Sequence, residues 1–323
     1  MTEMMIGLDI GGTTVKIGIL NGSGSIIEKW EIPTNTANKG ISIVDDISNS
    51  ITSKLASLKI DKKKLIGIGV GAPGFIDIPT GFVYEAINIG WKNFDLGGLL
   101  KERFHLPVFI NNDANVAVLG ENWKGAGNQS RNLIAVTLGT GVGGGIIANG
   151  KILDGVNGTA GEIGHITVEP GGYRCNCGLR GCLETIASAT GIVRQAMDKI
   201  AEYPKSDLAE FYKEEESLTT KDVFELASKG DHLCEQILNR TADVLGSVIA
   251  NTGLIINPSM VLIGGGVSKA GKPLRDLINK AFVNYALPRV SDVCEMKIAE
   301  LGNDAGIIGA AFLVKQKLQG IEF

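Results

Sequence analysis

Three of the five cysteines in this 323-residue chain lie within one eight-residue segment, CNCGLRGC. Cys175, Cys177 and Cys182 supply three thiols there, and His165 lies shortly upstream. One imidazole and three thiolates form a ligand set that suits tetrahedral zinc. Since four protein ligands leave no coordination position for water, the pattern predicts a structural rather than a catalytic zinc site. The alternative is a group of buried free cysteines beside an unrelated histidine.

Two glutamates flank this group. Glu162 precedes His165 by three residues, and Glu184 follows Cys182 by two. A metal ion that fixes the loop also fixes both carboxylates, and it leaves the second ring nitrogen of His165 to hydrogen-bond a ligand. Because a buried polyol needs partners for its hydroxyl groups, these side chains predict a sugar-binding site.

A further carboxylate, Asp113, lies in the segment NNDAN, where a strand is predicted to end and a helix to begin. Functional residues of α/β folds usually occupy such positions. Phosphoryl transfer to an alcohol requires a carboxylate that orients the hydroxyl group and accepts its proton. Asp113 fits that role, with Asn112 beside it as a hydrogen-bonding group. The alternative is a simple helix cap.

Three glycine-rich turns are candidates for phosphate binding: DIGGTT (9–14), GTGVGGG (139–145) and GGGV (264–267). Backbone N–H groups bind phosphates well, and glycine allows the chain to approach them closely. The Asp9 carboxylate is expected to hold Mg²⁺ directly or through water, and the third turn to leave a slot for a base. None of the turns has the P-loop pattern, and each one alone is also compatible with a tight hairpin. Lys16 alternates with apolar neighbours and is expected on a solvated strand face.

The apolar pattern places these residues on alternating strands and helices. Strands are predicted over 4–31 (three of them) and at LIGIGV and PVFI, then again at LIAVTL, GIIANG, MVLIGGGV and MKIAEL. Helices are predicted at about 41–58, from NNDAN onward, and at about 184–202, 219–229, 231–252 and 273–286, with a closing helix at DAGIIGAAFLVKQKL. The restart of the pattern predicts a duplicated α/β fold with a cleft between two lobes. We expect a small lobe at 1–113, joined by the C-terminal helix at about 304–323, and a large lobe at 114–303 that carries the zinc loop.

Composition excludes several classes of protein. The net charge is −4 and there is no long basic run, which argues against nucleic acid or an anionic membrane as the main partner. The N-terminus lacks the features of a signal peptide, and no apolar run reaches the length of a membrane span. An odd number of cysteines favours thiols or metal ligands over disulfides, so we expect a cytoplasmic protein.

Together, these motifs resemble the ROK family (repressors, ORFs and sugar kinases) of the actin-like ATPase superfamily. The segments that carry the resemblance stand in family order along nearly the whole chain: LDIGGTTVKIGI, GVGAPGFID, NNDANVAVLGE, VTLGTGVGGGI, GEIGH and CNCGLRGCLE. The resemblance implies an actin-like ATPase (ribonuclease H-like) duplicated α/β fold. It also implies a homodimer or homotetramer that closes its lobes on sugar binding.

The resemblance assigns a role to each candidate residue. Asp113 is implied as the catalytic base that activates the 6-hydroxyl group of the sugar, and zinc is implied on His165 and the three clustered cysteines. Residues implied to bind the sugar hydroxyl groups are Asn112, Asp113, Glu162, His165 and Glu184. Residues implied to contact ATP and Mg²⁺ are Asp9, Gly11, Gly12, Thr13, Thr14, Gly139, Thr140, Gly141, Gly143, Gly144, Gly264, Gly265 and Gly266.

Two further segments, YEAINIGWKNFDL and GCLETIASATGIVRQA, are similar to those of glucokinases from low-GC Gram-positive bacteria. They imply an ATP-dependent kinase of glucose in glycolysis, with glucose and ATP as its partners and neither nucleic acid nor membrane among them. The alternatives are kinases of N-acetylmannosamine, N-acetylglucosamine or fructose, and polyphosphate remains an alternative donor. Family repressors carry a DNA-binding segment ahead of the first glycine turn. Only eight residues precede Asp9, so we do not expect a repressor.

Overall fold

Short apolar segments form strands and longer amphipathic segments form helices in the computed structural model, which describes residues 3–323. The strands are β1 Met4–Ile10, β2 Thr14–Asn21, β3 Ile26–Pro33, β4 Leu65–Ala72, β5 Phe75–Asp77, β6 Phe82–Ala86, β7 Trp91–Phe94, β8 Val108–Asn112, β9 Leu133–Leu138, β10 Val142–Ala148, β11 Lys151–Ile152, β12 Met260–Gly264 and β13 Glu295–Ile298. The helices are α1 Ala37–Gly40, α2 Ile43–Ser57, α3 Leu96–Phe104, α4 Asp113–Lys124, α5 Glu184–Ala187, α6 Ala189–Glu202, α7 Asp207–Glu215, α8 Thr220–Ser228, α9 His232–Ile256, α10 Lys272–Tyr285, α11 Pro288–Ser291 and α12 Ala305–Gln319.

One unit comprises the described chain up to Ser130 together with residues 149–160 and 300–323. Its main sheet has the strand order β3-β2-β1-β4-β8, in which β1, β4 and β8 run parallel. Asp9 of β1 pairs with Gly71 of β4, and Gly71 pairs with Asn111 of β8. The carboxyl ends of these three strands therefore lie at one edge of the sheet. Asp9 and the NNDAN segment share that edge.

Glycines in this unit let helix α12 contact its neighbours through the backbone. A Cβ atom on Gly69 of β4 would lie 1.7 Å from the carbonyl oxygen of Ala310 in α12. A Cβ atom on Gly309 of α12 would lie 1.7 Å from the carbonyl oxygen of Val116 in α4. Any side chain at either glycine would force the elements apart, so glycine is required for this packing.

The other unit comprises residues 131–148 and 161–299. Strands β10, β9, β12 and β13 are neighbours in that order, with β10 antiparallel to β9 and with β9, β12 and β13 parallel. The strands β2, β1, β4 and β8 of the first unit have the same arrangement. This repetition confirms the predicted duplicated α/β fold. The core of the second unit includes Leu245 and Ile249 of the 25-residue helix α9 and Val136 and Ile263 of the sheet.

The bounds of the units differ from the expected lobe boundary after Asp113. Helix α4 belongs to the first unit, which extends to Ser130, because α4 packs on α12 at the glycine contact described above. Residues 149–160 also belong to this unit, although they follow β10 in the chain. The spacing of apolar residues within α4 gives no indication of which helix it contacts.

Most of the predicted elements are present, including the three strands over 4–31. The prediction of one helix at 184–202 was wrong, because Ser188 has an extended backbone (φ −73°, ψ 164°) and separates α5 from α6. Its hydroxyl group accepts a hydrogen bond from the Gly191 N–H and so caps α6. The sequence did not predict α3, α7 or the three-stranded sheet β5-β6-β7, whose strands have three to five residues. Within residues 3–323, no helix is both long enough and apolar enough to cross a bilayer.

Candidate active site

The predicted zinc ligands converge in the second unit. One ligand atom from each of His165, Cys175, Cys177 and Cys182 lies within 4.8 Å of the others. The distance from Cys175 Sγ to His165 Nδ1 is 3.7 Å, and that between the sulfur atoms of Cys177 and Cys182 is 3.6 Å. Tetrahedral zinc, with bonds of about 2.3 Å to sulfur and about 2.0 Å to nitrogen, requires ligand separations of about 3.5–3.8 Å. These four residues therefore fit a structural zinc ion.

Two glycines shape the loop that carries the thiols. Gly178 has a φ of +95° and Gly181 a φ of +72°, both in the left-handed region that favours glycine. The Cys175 N–H donates to the Leu179 carbonyl oxygen at 2.8 Å and closes a tight turn that contains Gly178. The two glycines therefore allow the sharp turns that bring the sulfur atoms together.

The protonation of the thiols depends on burial. Burial raises the pKa of Cys175 to about 12, and burial also raises the pKa of Cys182. A hydrogen bond from the Leu179 backbone lowers the pKa of Cys177. A metal ion deprotonates the thiols that coordinate it, so zinc would supply the positive charge that buried thiolates need.

The flanking glutamates adjoin this cluster on different sides. His165 directs Nδ1 toward the thiols, and its Nε2 lies 4.0 Å from Glu162 Oε2. Glu184 has Oε1 3.5 Å from Cys175 Sγ, while its Oε2 accepts a hydrogen bond of 3.1 Å from the Val142 N–H. Glu184 thus connects the thiol cluster to the glycine turn between β9 and β10.

That turn is held by short backbone hydrogen bonds. The Gly139 N–H donates to the Gly141 carbonyl oxygen at 2.9 Å, and the Ala189 N–H donates to the Gly139 carbonyl oxygen at 2.8 Å. The Thr190 hydroxyl group donates to the Thr140 carbonyl oxygen at 3.0 Å. The start of helix α6 therefore supports the turn. Of the other glycines predicted in this segment, Gly143 and Gly144 lie within β10.

A cavity of about 1230 Å³ opens beside this turn within the second unit. Gly139 and Thr140 line one part of it, and Gly266, at the end of the third glycine turn, lines another. Its apolar wall comes from helices α8, α9 and α10 and from the 3₁₀ turn at Val267–Ala270: Phe224, Leu238, Val267, Ala270, Pro273 and Leu277. Apart from Val267, these residues were not predicted, because the amphipathic pattern of a helix shows which residues are apolar but not which of them line a cavity.

The third glycine turn contacts the end of β9. Gly264 ends strand β12, and Gly265 follows it with a φ of +84°. A Cβ atom on Gly265 would lie 2.4 Å from the Leu138 carbonyl oxygen. Only glycine satisfies both the backbone conformation and the close approach. The turns at 139–145 and 264–267 are therefore adjacent, as phosphate and base contacts on one nucleotide require.

In the first unit, Asp9 is the penultimate residue of β1 and lies beside a lysine and the start of a helix. Its Oδ2 lies 3.8 Å from Lys16 Nζ, and Lys16 also donates to Asn303 Oδ1 at 3.4 Å. A Cβ atom on Gly306, in the first turn of α12, would lie 2.5 Å from Asp9 Oδ2. Burial raises the pKa of Asp9, and the charge of Lys16 opposes that rise. Lys16 was expected on a solvated face, whereas it is half-buried beside this carboxylate.

The DIGGTT turn continues directly from Asp9. The Gly11 N–H donates to the Thr14 carbonyl oxygen at 3.0 Å, and Thr14 begins β2. The Thr34 hydroxyl group donates to the Gly11 carbonyl oxygen at 2.7 Å, and the Thr34 N–H donates to the Thr13 carbonyl oxygen at 2.8 Å. The residue directly after β3 thus braces the turn. A carboxylate with nearby threonine hydroxyl groups is a set of hard oxygen ligands that suits Mg²⁺.

Asp113 is the first residue of helix α4. Asn112 precedes it as the N-cap, and its Oδ1 accepts hydrogen bonds from the N–H groups of Ala114 and Asn115 at 2.9 and 3.4 Å. Asp113 Oδ1 accepts from the Ala114 N–H at 2.8 Å. Because Asn112 provides the cap, the capping role suggested as an alternative for Asp113 is largely met by its neighbour.

Asn111 also takes part in this network, although its place in the sequence did not indicate a role. Its side chain is 1% exposed and connects β8 to α4 and to Asp154. No local spacing could have indicated Asp154, which lies more than forty residues away in the chain.

Known proteins resemble this chain along almost its whole length. The sequence model of the ROK family matches residues 5–317. A glucokinase from Halalkalibacterium halodurans is 52% identical over 98% of this chain and 96% of that protein. A glucokinase from Thermotoga maritima is 37% identical over 98% of each chain. The crystal structure of a ROK family glucokinase from Streptomyces griseus, in complex with glucose and AMPPNP, has a TM-score of 0.74 and 34% identity, covering 97% of this chain and 99% of that one.

Proposed function

This chain belongs to the ROK family, and from that premise we propose that it is a glucose kinase that transfers the γ-phosphoryl group of ATP to the 6-hydroxyl group of glucose. The products are glucose 6-phosphate and ADP. The proposal rests mainly on one observation: Asp9 and the NNDAN segment lie at the same edge of the sheet. A phosphate-binding turn and a candidate base at one edge are what phosphoryl transfer to an alcohol requires.

Asp113 acts as the general base. Its carboxylate orients the 6-hydroxyl group and accepts its proton as the oxygen attacks the γ-phosphorus. The bond from the γ-phosphorus to the bridging oxygen breaks at the same time, and that oxygen leaves with ADP. The hydrogen bond from Ala114 fixes one carboxylate oxygen, which keeps the side chain oriented for this step.

The sugar hydroxyl groups are bound by Asn112, Glu162, His165 and Glu184. His165 and the three clustered cysteines would hold a zinc ion whose role would be structural only, because it would fix the ring of His165 and the loop that leads to Glu184. Nε2 of His165 faces away from the thiols toward Glu162, which supports its role as a hydrogen-bonding group for the sugar. Paired carboxylates satisfy the donors of a polyol that loses its water on binding.

The glycine turns hold the nucleotide. The apolar wall of the cavity beside Gly139 and Gly266 supports a donor with a base and a ribose, since polyphosphate has no apolar part to bury. Backbone N–H groups of the turns at 9–14 and 139–145 bind phosphate oxygens. Asp9 would hold Mg²⁺, which neutralises the charge of the phosphates.

The location of the protein and its oligomeric state are inferred from its family and not from a contact in the structure. We infer that the protein acts in the cytoplasm, where ATP is available. We also infer that it assembles as a homodimer or homotetramer, which sedimentation or light scattering of the purified protein will test.

A panel of sugars tests the proposed reaction. ADP release is measured with glucose, fructose, N-acetylglucosamine and N-acetylmannosamine at saturating MgATP, and with polyphosphate in place of ATP. We expect the highest kcat/KM for glucose with ATP. Preference for an acetamido sugar would overturn the choice of glucose, and absence of ADP release with every hexose would overturn the kinase assignment.

A further inference from the structure

A chain of buried amide groups lies behind Asp113 in the first unit. Asn111 Nδ2 donates to Asp154 Oδ1 at 2.7 Å. Asn111 Oδ1 accepts from the Asn112 N–H at 2.7 Å and from Asn115 Nδ2 at 3.2 Å. The side chains of Asn111 and Asn115 are 1% and 2% exposed, so these groups cannot exchange their partners for water.

We propose that Asp154 is a positioning residue for the general base, acting through the side-chain amide of Asn111. The inference rests on the proposed function, because only there does Asp113 need a defined direction. It assigns a role to the segment 149–160, which belongs to the first unit and contacts β8 here.

The orientation of the Asn111 amide is the physical basis of this role. An asparagine amide can be turned by about 180°, which exchanges its acceptor and its donor. An ionised carboxylate only accepts hydrogen bonds, so Asp154 holds the Asn111 NH₂ group toward itself. The Asn111 oxygen then faces the Asn112 N–H. If the amide were reversed, its NH₂ group would face two other donors, the Asn112 N–H and the Asn115 NH₂ group.

The Asn112 N–H belongs to the peptide group directly before the helix cap. Asn112 uses its own side chain to cap α4, and its Nδ2 lies 3.5 Å from the Gly74 carbonyl oxygen. A change in the 111–112 peptide therefore displaces the cap and, with it, the first residue of the helix, Asp113. A displacement of about 1 Å at a reacting group is enough to lower a rate by up to about a hundredfold.

Opposing effects act on the pKa of the Asp154 carboxyl group, and the net shift is upward. Burial raises the pKa of its carboxyl group, whereas the hydrogen bond from Asn111 and the charge of Lys317 lower it. Asp154 is only half-buried, so water also reaches the side chain. The amide–carboxylate contact, rather than the protonation of Asp154, is the feature that the test must probe.

Two substitutions at Asp154 separate positioning from packing. Asp154→Ala removes the acceptor and leaves the buried Asn111 NH₂ group without one, so we expect kcat with glucose to fall about tenfold while the glucose KM changes by about twofold or less. Asp154→Asn keeps an oxygen that can accept the same hydrogen bond and should restore kcat to within about twofold of wild type. Asp61→Ala is the control, because Asp61 is a carboxylate of the same unit that accepts from the Lys63 N–H in a surface turn.

Two results of these kinetic measurements would overturn the positioning role of Asp154. The first is an unchanged kcat in Asp154→Ala. The second is an Asp154→Ala loss that also appears when Asn111 is already alanine, since the effect must pass through Asn111.

Amide hydrogen exchange gives a readout that does not depend on turnover. We expect faster exchange over 112–115 in Asp154→Ala and wild-type exchange in Asp154→Asn. Wild-type exchange in Asp154→Ala would overturn the inference whatever the substrate is. If exchange changes as expected but the wild-type protein phosphorylates no hexose, the proposed function fails and the structural role of Asp154 stands.

Discussion

The substitution Gly141→Ala tests whether Glu184 binds the sugar. A Cβ atom at this position would lie 2.3 Å from Glu184 Oε2, whereas ordinary van der Waals contact begins at 3.4 Å. The flexible carboxylate must therefore retreat by about 1 Å from the new methyl group. Its hydrogen bond to the Val142 N–H, 3.1 Å in the wild-type protein, would then be lost or strongly weakened.

The expected loss of glucose affinity follows from the charge of the displaced carboxylate. A hydrogen bond to a charged group contributes about 1.5–3 kcal/mol, which corresponds to about a 10- to 150-fold change in an equilibrium constant. If Glu184 binds a sugar hydroxyl group, glucose affinity should fall by at least about tenfold. The fold itself should tolerate the change, because the methyl group meets the end of a side chain and not a backbone.

Calorimetric titration with glucose in the absence of ATP measures this affinity directly. Gly139→Ala is the matched control for glucose binding, since a Cβ atom there has no atom within 4 Å and the position belongs to the proposed phosphate contacts. Thermal unfolding of both variants checks that they remain folded. Wild-type glucose affinity in Gly141→Ala would refute the assignment of Glu184 to the sugar site.

Four further outcomes are expected. Asp113→Asn should lower kcat by about 10²- to 10⁴-fold while glucose affinity is retained, and near-normal turnover would exclude Asp113 as the base. Cys175→Ser or chelation should lower both the melting temperature and glucose affinity, and metal analysis should find one zinc per chain; active, folded protein without zinc would contradict the structural site. Gly309→Ala should lower the free energy of unfolding by about 1–3 kcal/mol in denaturant titrations, because its Cβ atom would overlap the backbone of α4. Burial raises the pKa of Asp154 above its usual 3.8, so its charge destabilises the folded state at higher pH; Asp154→Asn should raise the free energy of unfolding at pH 7, and the difference should disappear as the pH falls below 3.8.

Local sequence patterns were sufficient to predict features that depend on residues close together in the chain. The clustering of the three cysteines could be predicted because they lie within eight residues together with two glycines that form sharp turns. Strand and helix periods likewise predicted the repeated α/β arrangement, including the helix that begins at Asp113. Prediction failed at Ser188, where a helix-compatible sequence is interrupted because a serine caps a new helix.

Only the tertiary structure decided which distant groups meet. The strand glycine Gly69 looks like a weak strand residue in the sequence, yet a helix backbone from the far end of the chain occupies the space of its missing side chain. The apolar wall of the cavity beside Gly139 combines residues from three helices and a 3₁₀ turn. The Asn111–Asp154 contact joins residues separated by 43 positions. Such contacts follow from how elements pack, and packing depends on the shapes of all the elements together. The sequence by itself therefore determined the kinds of chemical groups and their local turns, whereas the fold determined which of those groups support one another.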